Sequence, residues 1–169
     1  MIILGIDTAI RCTGYGVIDI QQGGGIEILD CGVIKNKQKD PHSECLRRLY
    51  GGINELCNAF KPEVAALESA FFHKNVKTAM ILSYARGSIM TALVNNGIPT
   101  YAYAPKKAKL AVVGTGNASK EQVASIIASM TRLNPDQIQL DATDALAIAI
   151  CHGYIAIRSN ADILLDKPL

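Results

Sequence analysis

Four carboxylates in this chain of 169 residues stand directly against apolar sequence. Asp7 closes the run Ile2-Ile3-Leu4-Gly5-Ile6, and Glu68 closes Val64-Ala65-Ala66-Leu67. Asp141 and Asp144 open the stretch Ala145-Leu146-Ala147-Ile148-Ala149-Ile150. An ionised carboxylate in a dry setting costs several kcal/mol unless it is paired, protonated or bound to metal. The sequence offers no obvious arginine partner for any of the four, so converging acids without matching cations point to a divalent metal site. Oxygen-only ligands favour magnesium or manganese over zinc. Two such ions about 4 Å apart can clamp the attacking and leaving oxygens of a phosphodiester displacement.

Each acid taken alone has a plainer explanation. Asp141 can cap a helix, and Asp144 can sit in a first turn where the helix dipole favours it. Asp7 and Glu68 can be solvated strand ends, Asp7 forming a turn ahead of Thr8. The spacing argues for more. Asp141 and Asp144 lie at i and i+3, on one helical face, and the Ala-Leu-Ala-Ile-Ala-Ile run behind them has no polar side, which carries the pair inward. The three histidines, His42, His73 and His152, show no zinc spacing. His152 reads as a packed or terminal helix residue, two turns from Asp144 and close enough to approach the site.

The elements that must position these acids are legible from periodicity. Residues 2–7 read as a first strand, 13–20 as a second and 26–34 as a third, with Gly23-Gly24-Gly25 as a turn; short connections make this meander antiparallel. Leu46, Leu49, Ile53, Leu56 and Phe60 recur at helical spacing over residues 43–60, and Lys61-Pro62 ends that helix. Residues 64–68 form a short apolar strand of the kind buried in mid-sheet. A long helix over residues 75–95, a fifth strand over 98–103, a basic helix from Pro105 and a helix over 120–133 precede the final helix, which starts near Asp141. The first and fourth strands are expected neighbours, each ending in an acid. This order predicts an α/β fold of one domain over residues 1–158, followed by a short tail over 159–169.

Composition sets bounds. Hydrophobic residues make up 49% of the chain, which argues against disorder. A net charge of +2 does not by itself assign a nucleic-acid partner, but lysines cluster at Lys35, Lys37 and Lys39 and again at Lys106, Lys107 and Lys109. Five cysteines contain no Cys-x-x-Cys pair, so reduced, packed thiols are expected, in a soluble cytosolic protein without a bilayer-spanning run or secretory signal.

Four segments then match a known pattern: Leu4-Gly5-Ile6-Asp7 with Thr13-Gly14-Tyr15-Gly16-Val17-Ile18; Glu68-Ser69-Ala70-Phe71-Phe72 with Lys74-Asn75; Val112-Val113-Gly114-Thr115-Gly116 with Ala118-Ser119-Lys120; and Asp141 through Ala149. On these the chain resembles the RuvC family of bacterial Holliday-junction resolvases, crossover junction endodeoxyribonucleases of the ribonuclease H-like superfamily. The resemblance implies a five-stranded mixed sheet, three antiparallel strands with parallel additions, flanked by helices. It implies that Asp7, Glu68, Asp141 and Asp144 are catalytic and hold two magnesium ions, with manganese able to stand in. One metal would activate a water, and the other would stabilise the departing 3′-oxygen.

A homodimer making paired symmetric nicks in four-way junction DNA is likewise implied, serving recombination and repair beside the RuvA–RuvB branch-migration complex. Phe71 matches an aromatic that reaches into the junction, and Lys109 and Lys120 match lysines that contact DNA near the cut. Lys74, Lys106 and Lys107 extend that basic flank. The long helix, with Ala79, Leu82, Ala85 and Arg86, is the expected dimer surface. Two departures stand out: Thr8-Ala9-Ile10 replaces the usual Pro-Gly after the first aspartate, and residues 159–169 lack a basic tail.

Three alternatives compete. An actin- or sugar-kinase-like ATPase shares the Gly-Ile-Asp strand start but needs a second lobe. A non-catalytic or partner-activated junction-binding protein of the same fold would be expected to lose an acid. A ribonuclease H-like nuclease with another substrate would keep all four.

Overall fold

The computed structural model describes residues 1–69, 75–131, 139–158 and 168–169. Strands β1 (Ile2–Asp7), β2 (Cys12–Ile20) and β3 (Ile26–Lys35) form the antiparallel meander, followed by α1 (His42–Phe60), β4 (Val64–Glu68), α2 (Val76–Asn95) and β5 (Thr100–Tyr103). Helices α3 (Pro105–Val113), α4 (Lys120–Thr131) and α5 (Leu140–Arg158) complete the described elements. The sheet runs β3-β2-β1-β4-β5. β4 is parallel to both β1 and β5, so the expected mixed sheet is observed.

Side-chain alternation splits the interior into two layers. On one face Ile3, Ile18, Val64 and Ala66 pack under α3, α4 and α5. On the other, Leu4, Ile6, Val17, Ala65 and Leu67 pack under α1 and α2. Each fully buried Ile or Leu contributes roughly 2 kcal/mol. The period of two has a direct consequence for the acids. Asp7 shares parity with Ile3 and Gly5, and Glu68 with Val64 and Ala66, so both carboxylates leave the sheet on the α5 face.

α5 lies unusually close to that face because glycines floor it. A Cβ on Gly5 would overlap the Ala145 carbonyl, and one on Gly14 the Asp141 carbonyl. Gly14 pairs with Asp7 and Gly16 with Gly5 across β1 and β2, so the bare strip runs directly beneath the helix. The stretch Leu140–Ile157 is apolar enough to cross a bilayer by length and composition, contrary to the expectation that no such run exists. Here it is the core helix, with Ala142, Ala145, Leu146 and Ile150 buried.

Helix ends follow local chemistry. The Asn75 side chain accepts the Thr78 N–H at 3.2 Å to cap α2. α2 closes with Gly97 at φ 69, its N–H bonding Val94 and that of Ile98 bonding Leu93. That closure occupies Ile98, which is why β5 begins at Thr100 and not at residue 98. All five cysteines are free.

Candidate active site

The β1–β4 ladder ends at Ile6–Leu67, so Asp7 and Glu68 emerge side by side at the same edge of two parallel strands. Asp144 reaches them from α5, one turn inside its N-terminus. Asp7, Glu68 and Asp144 line a cavity of about 220 Å³ together with Pro105, Ala108, Lys109, Lys120, Ala147 and Ile148. Asp141, in the first turn of α5, lies one helical turn away and hydrogen-bonds the Cys12 thiol of β2. Helix α5 starts at Leu140, so Asp141 is inside the helix and does not cap it.

Burial pushes the Asp7 carboxyl well above the usual carboxylate range, aided by its hydrogen bond to Glu68 and the nearby charges of Glu68 and Asp144. Lys120 works in the opposite direction, forming an ion pair with Asp144. Its ammonium is held charged by Asp144 first, then by Asp7 and Asp141. The absence of a matching cation inferred from sequence is therefore corrected. Lys120 pairs with Asp144 from α4, and Arg86 of α2 donates to the Glu68 main-chain carbonyl. Both partners come from distant positions in the chain, beyond any local spacing rule.

The donor set fits a hard divalent cation. Burial first, and then the carboxylates of Glu68 and Asp144 gathered beside it from separate elements, make Asp7 resist ionising, and a cation relieves the repulsion among them. Among the described residues no three Asp, Glu, His or Cys side chains are drawn up around one point. Lys120 supplies the positive charge in this arrangement.

The remaining expected site residues divide into groups. Lys109 borders the cavity, its ammonium donating to the Ala118 carbonyl at 2.7 Å. Lys106 and Lys107 are exposed on α3, Lys107 lying 5.3 Å over the Tyr103 ring. Phe71 and Lys74 lie outside the described residues. His152 does not join the acids. It is 2% exposed, contacts the Tyr103 hydroxyl through Nδ1 at 2.8 Å and stacks at a tilt on Tyr101. On α2, Ala85 is buried and Arg86 turns toward β4, while Val76, Met80 and Tyr84 of the same helix form an outward apolar stripe.

The family model described as "Crossover junction endodeoxyribonuclease RuvC" matches residues 3–152. A crossover junction endodeoxyribonuclease RuvC of Tolumonas auensis is 46% identical over 90% of this chain and 87% of its own length. That of Vibrio parahaemolyticus is 46% identical over 90% of this chain and 86% of its own. Among solved structures, T. thermophilus RuvC in complex with Holliday junction substrate superposes with a TM-score of 0.89 at 32% identity, covering 100% of this chain and 99% of that one.

Proposed function

The chain belongs to the RuvC family of crossover junction endodeoxyribonucleases, and from that membership we propose how its own residues divide the work. It is a structure-selective endonuclease that resolves Holliday junctions by hydrolysing phosphodiester bonds. Asp7, Glu68, Asp141 and Asp144 would hold two magnesium ions per subunit, with manganese able to stand in. When bound, such ions polarise the scissile phosphate and lower the pKa of attacking water.

The observation that carries this reading is the convergence of Asp7, Glu68 and Asp144 from β1, β4 and α5 on one cavity that Lys109 and Lys120 border. The acids fix the cut position relative to the sheet edge. The lysines grip backbone phosphates, which dominate affinity for nucleic acid and give no sequence preference themselves. Lys106 and Lys107 extend the grip along α3, and Phe71 and Lys74, which follow Glu68 closely in sequence, would add to it. With DNA bound, Lys120 has phosphate oxygens as an alternative to Asp144. The apolar stripe of α2 supports a homodimer making paired nicks. The assignment extends to recombination and repair in the cytoplasm, away from any membrane, with a RuvA–RuvB complex as the functional partner.

The test uses a synthetic immobile four-way junction with duplex, nicked and RNA–DNA controls, with and without magnesium, and denaturing-gel mapping of products. Symmetric, magnesium-dependent nicks in the junction alone are expected. Asp7→Asn should reduce cleavage by at least about a hundredfold while leaving junction binding within about twofold, because it removes a ligand and adds no clash. Wild-type cleavage by that variant would falsify the ligand assignment. Cutting of the controls would sink the junction selectivity.

A further inference from the structure

Glu68 is the last residue of β4, and its backbone stands at a change of partners. On the β5 side the strands stay zipped past it, Glu68 opposite Tyr103 and the Ser69 N–H donating to the Tyr103 carbonyl at 2.8 Å. On the β1 side the ladder has already stopped at Ile6–Leu67. A main-chain carbonyl left there without a donor would be costly. Arg86 reaches down from α2 and its Nη1 donates to that carbonyl.

An arginine in this place is expensive unless it does something a smaller residue cannot. It follows the fully buried Ala85 and precedes the fully buried Ile89 on the same helix. Burial lowers the guanidinium pKa, and the charge of Glu68 works the other way. Its hydrogen bond goes to the main chain, so it fixes the strand end without occupying the Glu68 carboxylate, which faces Asp7. The same residue roots the strand in α2, whose outer side carries Tyr84 and Gly87.

We propose that Arg86 is a positioning residue for the metal site, tying α2 to the end of β4 so that the Glu68 carboxylate is held facing Asp7. The proposal rests on the reading of Glu68 as a metal ligand. Arg86 does not line the acid cavity and acts through Glu68. Groups that orient a ligand in this way typically change metal affinity by tenfold or more when removed.

The experiment is Mn²⁺ titration calorimetry on the full chain for wild type, Arg86→Ala, Arg86→Lys, Glu68→Gln and the Arg86→Ala/Glu68→Gln double variant. Junction binding is measured alongside in EDTA. Expected is an about tenfold loss of Mn²⁺ affinity in Arg86→Ala, most of it recovered in Arg86→Lys. The double variant should bind no worse than Glu68→Gln alone, because both changes remove the same ligand geometry. Junction binding in EDTA should be unchanged throughout, which a general loss of structure would not allow. Unaltered Mn²⁺ affinity in Arg86→Ala, or a loss that adds in full to that of Glu68→Gln, overturns the proposal. Should Arg86→Ala not fold, Arg86→Gln is read by the same criteria. If Glu68→Gln itself binds Mn²⁺ as wild type does, the ligand reading fails first and the role of Arg86 falls with it.

Discussion

Lys120 and His152 show two opposite uses of burial at the scale of single residues. Lys120 is half-exposed and pairs with Asp144 among acids that repel one another, so a cation already compensates the cluster before any metal arrives. His152 is buried and faces the tyrosines of β5, Tyr101 and Tyr103, with the Tyr103 hydroxyl at its Nδ1. Desolvation pushes its pKa down from 6.5 to about 4. The neutral ring is therefore the folded form, while an unfolded chain takes up a proton below about pH 6.5. The unfolded state binds more protons across that window. Stability contributed by His152 is thus present above pH 6.5 and is lost as pH falls toward 4, by roughly 3 kcal/mol at most. Urea unfolding of wild type and His152→Gln at pH 7, 6, 5 and 4 should give a shallower pH slope for the variant. Equal slopes would assign the acid sensitivity to other groups.

Individual elements carry the precision of the site, and α5 carries most of it. Asp141 and Asp144 are placed by how closely the helix can lie on β1 and β2, which Gly5 and Gly14 permit. Gly14→Ala forces a methyl against the Asp141 carbonyl and should cost roughly 3 kcal/mol, with Mn²⁺ affinity falling as the helix start lifts away. Gly51→Ala, in α1 with open space at its Cβ, should instead gain roughly 0.5–1 kcal/mol by favouring the helix. Chemical denaturation of both variants decides the matter; similar effects would mean that the floor under α5 is not tight. The strand and helix pattern was legible in the sequence because β1 and β4 are unbroken apolar runs and α5 has no polar side. The parity that sends Asp7 and Glu68 to one face was implicit in those runs. Lys120 beside Asp144 and Arg86 beside Glu68 were not legible, because each pairing depends on how α4 and α2 pack in three dimensions. Which residues of α2 turn inward, Ala85 and Arg86 among them, is not legible for the same reason: α2 is apolar on most sides, so periodicity alone does not say which side faces α1.

The whole molecule has to deliver two cuts, and its surface indicates how. Val76, Met80 and Tyr84 recur every four residues along α2 and are 72%, 50% and 48% exposed, with Tyr50 of α1 exposed nearby. Apolar side chains in a row on solvent favour burial against another surface, and a second copy would meet them with the same stripe, as a two-fold interface requires. Because Arg86 lies on the same helix and holds the end of β4, α2 would join the interface to the catalytic edge within each subunit. Tyr84→Glu places a charge in the middle of that stripe, where two copies would bring like charges together without partners. The variant should run as a monomer in sedimentation at micromolar concentration and still bind Mn²⁺ with wild-type affinity, since Tyr84 does not line the acid cavity. On a junction it should give single, unpaired nicks. A variant that stays dimeric and still cuts both strands symmetrically would remove this face from the interface and leave the acids, the lysines and the fold as they stand.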